Sequence, residues 1–278
     1  MHRDLPEHNA IKHVTVKKEP TGAWFVSFCI ETDKPDKPDV DAIDPKDTVG
    51  IDLGILKLIH DSDGRSVERL DLSDDRDRLE REQRALSRKE KGSNNWEKQR
   101  EKVAEIHERM SAKKRDLKHK LAHFYTTRYD AVFLEDLNVK SMLEGPQNAR
   151  NKAEVGWRDL ISIFHHHGKK HGCHVVEVDP RGTSKECAAC GVETAKPVWV
   201  REHSCPACGY TADRDENASL VIQKRGLEEL GVGHSEFTPA ETATATLTTF
   251  TQSGGTVSAS RVVETGSPNL KESASADE

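Results

Sequence analysis

Apolar and polar residues alternate in "IKHVTVKK" and again in "AWFVSFCIE", on either side of "EPTG", a turn signal. That pattern predicts an antiparallel β-hairpin. The Pro- and Asp-rich "TDKPDKPDVDAIDPKD" that follows predicts a solvated connection. "TVGIDLGILKLIHDSDGRSVERLDL" predicts three consecutive strands, with Gly54 near the end of the first and "DSDG" turning between the second and third. From Asp74 to about Arg128 the period lengthens. Leu79 and Leu86, then Val103, Ile106, Met110, Leu117, Leu121 and Phe124 fall at helical spacings, and "KGSNN" interrupts them, which predicts two helices folded back as a hairpin.

Further on, "AVFLEDL" predicts a short buried strand, "WRDLISIFHHHGKKHG" an amphipathic helix ending at glycine, and "CHVVEVD" another strand. "NASLVIQKRGLEELG" predicts a last helix beginning near Asn217 and closed by Gly231. The order is three strands, helices, strand, helix, strand, a cysteine-rich insert and a helix, an α/β core with a mixed sheet. After Gly231 the chain turns to Thr, Ala, Ser, Gly and Glu, with too little apolar surface to offset chain entropy, so residues 232–278 are expected to be a disordered acidic tail.

The chain has 278 residues, enough for two domains and a tail. A third of the residues are charged, and no apolar run approaches the roughly 18 residues of a membrane span. The amino terminus lacks the apolar core of a signal peptide, so a cytoplasmic location without membrane partners is expected. The net charge of -6 hides an uneven distribution. Arg76 to Lys120 holds 16 Lys and Arg against 9 Asp and Glu, a surplus of 7, which leaves -13 on the rest. Such a basic stretch can follow phosphates or be only a solvated helix face, and the acidic remainder also fits adaptation to high salt.

Cys187 and Cys190 in "CAAC", and Cys205 and Cys208 in "CPAC", form two pairs with fourteen residues between them, each pair followed by glycine. Two thiolates on each of two tight turns complete a tetrahedral shell, which points to Zn2+. With all four positions filled by protein, such a site is structural rather than catalytic. Cys29 and Cys173, on predicted strands, read as small core residues. In "HHHGKKH", His165 to His171, three consecutive His on a helix point in different directions, so an exposed polar face is expected rather than a metal site.

Asp52 sits amid an otherwise apolar strand in "VGIDLG", and Glu135 ends an apolar strand in "VFLEDL". Burying lone carboxylates is costly without a compensating cation or donor, although each could also cap a turn. Asp213 and Asp215 stand where a helix cap is wanted. Carboxylates meeting at one end of a sheet would instead hold two hard divalent cations suited to phosphodiester hydrolysis.

"GIDLG", "FLEDL", "VVEVDPRGTSKECAACG" and "CPACGYTADRDENAS" together resemble the RuvC-like nuclease domain of the TnpB (OrfB) insertion-sequence proteins, relatives of type V CRISPR effectors often called transposases. The resemblance covers roughly Ile11 to Leu227. It implies an RNase H-like core over 48–186 with the helical hairpin at about 74–128 inserted, a zinc ribbon over 187–212 and the last core helix over 213–231. It further implies that residues 1–47 are a hairpin remnant of a wedge-type β-barrel, the longer amino-terminal part of family members being absent. It places catalytic acids at Asp52, Glu135 and Asp215, holding Mg2+ or Mn2+, with Asp213 and Arg214 in support and Ser219 where the family usually has Ala. The implied activity is RNA-guided DNA cleavage, with DNA and a guide RNA from the element's end as partners. A non-cleaving DNA- or RNA-binding remnant is the alternative.

Overall fold

The strands expected after Asp47 form a meander of β3 (Thr48–Asp52), β4 (Lys57–Asp61) and β5 (Ser66–Glu68), each antiparallel to the one before it. The computed structural model describes residues 10–55, 57–137, 156–197 and 200–232, with 244–245, 248–250 and 256–258. β6 (Ala131–Glu135) pairs parallel to β3, and β7 (His174–Val178) pairs parallel to β6. The sheet order is β5-β4-β3-β6-β7, so it is mixed, with β3 and β6 in the interior.

The chain divides into two units, one holding residues 1–36 and 70–123, the other 37–69 and 124–278. In the first, β1 (Ile11–Lys18) and β2 (Trp24–Ile30) pair as the predicted hairpin. Its apolar side chains, Trp24 and Phe25 among them, are exposed. Cys29 is exposed as well, which corrects the expectation of a core residue, because this two-stranded sheet buries neither face. The helices α1 (Ser73–Ser87) and α2 (Asn94–Arg128) flank the break at "KGSNN". Ser93 opens α2 by accepting a hydrogen bond from Trp96 N–H. Asp75, buried at the start of α1, takes a 2.5 Å ion pair from Lys113, so the two helices are joined by charge.

In the second unit the last turns of α2 bury Tyr125, not Phe124. Leu121 and Tyr125 are four apart and share a stripe, which leaves Phe124 outside it, its ring 5.7 Å and 5.8 Å from the guanidinium groups of Arg65 and Arg128. Tyr125 packs toward Phe164 of α3 (Trp157–His171), ring centroids 6.0 Å apart, and donates to the buried carboxylate of Asp61. Within "HHH" the three side chains diverge: His165 meets Glu177 at 2.7 Å, His166 is exposed and His167 is buried. The expected exposed face is therefore corrected, since α3 packs on the sheet and buries every third or fourth residue.

The other side of the sheet is covered by α4 (Arg214–Leu230). The helix comes unusually close. A Cβ on Gly50 of β3 would stand 2.1 Å from Ser219 O and 2.5 Å from Gln223 N, and one on Gly226 would stand 2.0 Å from the Phe133 ring. Ala131, Phe133, Val178, Ile222, Leu227 and Val232 form the core beneath it. Residues past Gly231 were expected to lack regular structure; those described make short strands at Thr244–Ala245, Thr248–Phe250 and Thr256–Ser258. Their β-branched residues suit strand, and the rest of the expected disordered tail lies outside the described residues.

Candidate functional site

The period-two alternation of a strand decides which carboxylates share a side. Gly50 faces α4, so Asp52, two residues on, faces it too. Gly50 pairs with Phe133 and Ile51 with Leu134, so Glu135 follows alongside Asp52, on the same side as Phe133. Asp215 arrives from above. Gln223 of α4 donates to Thr48 O, 2.9 Å away at the start of β3. Asp215 is two helical turns earlier, about 12 Å, and Asp52 is four strand residues later, about 13 Å. The helix start therefore lies over the strand's end.

The electrostatics agree with this placement. Burial, then the charges of Glu135 and Asp215, hold the Asp52 carboxyl well above the usual carboxylate range, while Arg214 pulls it down. Glu135 is buried and is likewise raised by burial, against a hydrogen bond from Thr183 and the charge of Arg225. Thr183 Oγ1 donates to Glu135 Oε1 at 2.6 Å. Arg225 fastens the turn that carries Thr183, donating to Asp179 O, Arg181 O and Glu186 Oε2. Asp215 is paired differently: Arg214 donates to its Oδ1 at 2.7 Å and Arg201 to its Oδ2 at 3.3 Å.

Asp213 and Asp215 part company at this point. Asp213 is the N-cap of α4, accepting from Asp215 N–H at 2.9 Å and Glu216 N–H at 3.4 Å. The helix thus begins at Arg214, three residues before the start near Asn217 that periodicity suggested and in line with the 213–231 bounds, with Asp213 in one of the cap roles its residue type allowed.

The four cysteines converge. Cys187 Sγ lies 3.7 Å from Cys208 Sγ, Cys190 Sγ lies 3.5 Å from Cys205 Sγ, and all four lie within 4.8 Å of one another, a group that could hold a metal ion. Sulfurs at about 2.3 Å from a tetrahedral ion stand roughly 3.8 Å apart, so the set fits. Both knuckles close alike: Gly191 N–H donates to Cys187 O and Gly209 N–H to Cys205 O, with both glycines at positive φ. Burial pushes the Cys187 thiol up to about 12. At Cys205 burial works in the same direction, but the N–H groups of Cys208 and Ala207 bring it down to about 7. The carboxylates are not gathered as tightly. Of the two sets, only the cysteines have every ligand atom within 4.8 Å of every other.

Thr183 and Arg201 carry no sequence signal of their own. Asn217, fully buried, donates to Glu186 O at 2.7 Å and accepts from Ala188 N–H at 3.0 Å, tying the first cysteine knuckle to α4. Its position in "DENAS", one turn into a helix, was the only available hint.

A family model described as "Probable transposase" (OrfB_IS605) matches residues 27–145, and one described as "Cas12f1-like, TNB domain" matches residues 157–222. A "Putative RNA-guided DNA endonuclease" of Streptomyces pristinaespiralis is 36% identical over 238 residues, 83% of this chain and 57% of its own length. The chain belongs to the TnpB (OrfB) family. A second family member, "Putative RNA-guided DNA endonuclease InsQ" of Escherichia coli (strain K12), is 31% identical over 243 residues, 80% of this chain and 58% of its own length. The chain thus spans less than three fifths of the length of these curated relatives. Among solved structures, the cryo-EM structure of a Cas12f1-sgRNA-target DNA complex matches with a TM-score of 0.53 at 20% identity, covering 77% of this chain and 46% of that one. The fold is therefore the RuvC-like α/β fold, with a mixed sheet. Among the described residues no helix is long and apolar enough to cross a membrane.

Proposed function

We propose that the chain is a transposon-associated, RNA-guided DNA endonuclease whose Asp52, Glu135 and Asp215 hold divalent Mg2+ or Mn2+ and hydrolyse phosphodiester bonds. The observation that carries this reading is the burden of negative charge on Asp52, which sits partly buried beside Glu135 and Asp215 on one side of the sheet. Carboxylates that repel one another in a buried place are set up for a hard cation with oxygen ligands. Such ions, when bound, lower the pKa of an attacking water and offset charge on the departing 3'-oxygen.

The chain's own groups do the positioning. Asp52 is fixed by strand pairing at the end of β3, and Glu135 is aimed by Thr183. Arg214 and Arg201 neutralise Asp215, and their guanidinium groups are suited to exchange that carboxylate for a backbone phosphate as nucleic acid enters. Cys187, Cys190, Cys205 and Cys208 hold structural Zn2+, which keeps the segment leading into α4 in one conformation. The zinc ribbon at 187–212 and the RuvC-like core at 48–186 are the domain boundaries that this reading adopts.

The partners are DNA and a guide RNA from the element's end, base pairing reading the sequence, with a cytoplasmic location. A second reading is a non-cleaving nucleic-acid-binding protein; the ion pairs that already occupy both oxygens of Asp215 favour it. Sequencing of RNA that copurifies with the tagged chain in Mg2+ tests guidance. Enriched RNA from the neighbouring element end supports the proposal, and RNA at background level contradicts guidance, leaving unguided nuclease activity.

A further inference from the structure

His60 of β4 stands directly across from Asp52 in the antiparallel pairing of β3 with β4. Residues opposed in this way project to the same side, with Cβ atoms about 5 Å apart. His60, Asp52 and Glu135 therefore form a row across three adjacent strands, β4-β3-β6, beneath the start of α4. His60 is only 7% exposed, and its Nδ1 is buried with no hydrogen-bond partner. A buried imidazole nitrogen left unpaired costs free energy and calls for an explanation. Its neighbour Asp61, one residue along and facing the other side of the sheet, is by contrast fully engaged by Tyr125 and Arg65.

We infer that His60 is an additional ligand of the metal site, giving an imidazole nitrogen to the divalent ion that Asp52 holds. This rests on the carboxylate reading above. A nitrogen donor beside oxygen donors moves preference away from Mg2+ toward transition metals, because imidazole suits the later first-row ions while carboxylate and water suit Mg2+. The expected consequence is a site that binds Mn2+ in preference to Mg2+, by a margin that His60 sets.

The test is Mn2+ titration of the zinc-loaded full chain, followed by electron spin echo spectroscopy for 14N coupled to the bound Mn2+. Wild type is expected to show imidazole 14N modulation. His60→Gln is expected to keep Asp52-dependent Mn2+ binding, which reports a folded site, while losing the modulation and on the order of tenfold in affinity. Mn2+ binding that depends on Asp52 but shows no 14N modulation, or modulation that survives in His60→Gln, overturns the inference and leaves the carboxylate site standing. Mn2+ binding unchanged in Asp52→Asn overturns the carboxylate reading and this inference together.

Discussion

Asp52 carries a cost in the metal-free chain. Its folded carboxyl is raised above the unfolded value by burial, Glu135 and Asp215, so the unfolded chain gives up its proton first as pH rises. The stability penalty is absent below the unfolded value of about 3.9 and grows as pH rises toward the folded one. Asp52→Asn is therefore expected to raise the Tm of the metal-free chain in EDTA at pH 7.5 and to change it little at pH 3.5, measured by calorimetry. Thr183 poses the complementary case, since it aims Glu135 without joining the chemistry. Thr183→Val should lower kcat on the order of tenfold, as losses of groups supporting metal ligands do, and Thr183→Ser should restore it; equal rates in all three would remove the positioning role. The convergence of the four cysteines was legible because a doubled CxxC is unusual wherever it occurs, and an acid in an apolar strand is what singled out Asp52 and Glu135 as candidates. His60 was not, because its meaning depends on which residue of β3 it faces, a matter of register that one strand's sequence does not contain.

At the scale of elements, the placement of α4 governs the site. Gly50 and Gly226 let the helix lie close to β3 and β6, and Asp215 reaches the strand ends only from that position. Gly226→Ala would drive a methyl into the Phe133 ring and should cost about 1–3 kcal/mol of stability, as overpacking does; urea unfolding with no shift in midpoint would refute the close packing. The succession of strands and helices along the chain was readable from periodicity, and so were the two helices on either side of "KGSNN". The helix boundary near Asn217 and the buried face of α2 were not. The burial of Tyr125 in place of Phe124 arises from what packs against α2, whereas the cap at Asp213 is local, its carboxylate accepting from the N–H groups of Asp215 and Glu216, and the residue type alone made it a cap candidate.

In the molecule as a whole, two sites share one approach. The cysteine knuckles lead through β8 (Glu202–Ser204) and β9 (Thr211–Asp213) directly into the cap of α4, and Asn217 bonds that helix back to the first knuckle. Metal at the cysteines should thus stabilise the carboxylate site from a distance. Purified chain is expected to hold about one zinc, and removing it should both lower Tm and weaken Mn2+ binding at the carboxylates; unaltered Mn2+ affinity after zinc removal would uncouple the two. Whether Asp52, Glu135 and Asp215 hold the ions for DNA cleavage is measured most directly by Mg2+-dependent cleavage by the RNA-loaded chain beside Asp52→Ala and Asp213→Ala. Wild type and Asp213→Ala are expected to cut, the latter with about 1 kcal/mol less stability from the lost cap, and Asp52→Ala to leave the DNA intact. Cleavage by Asp52→Ala at the wild-type rate would contradict the account.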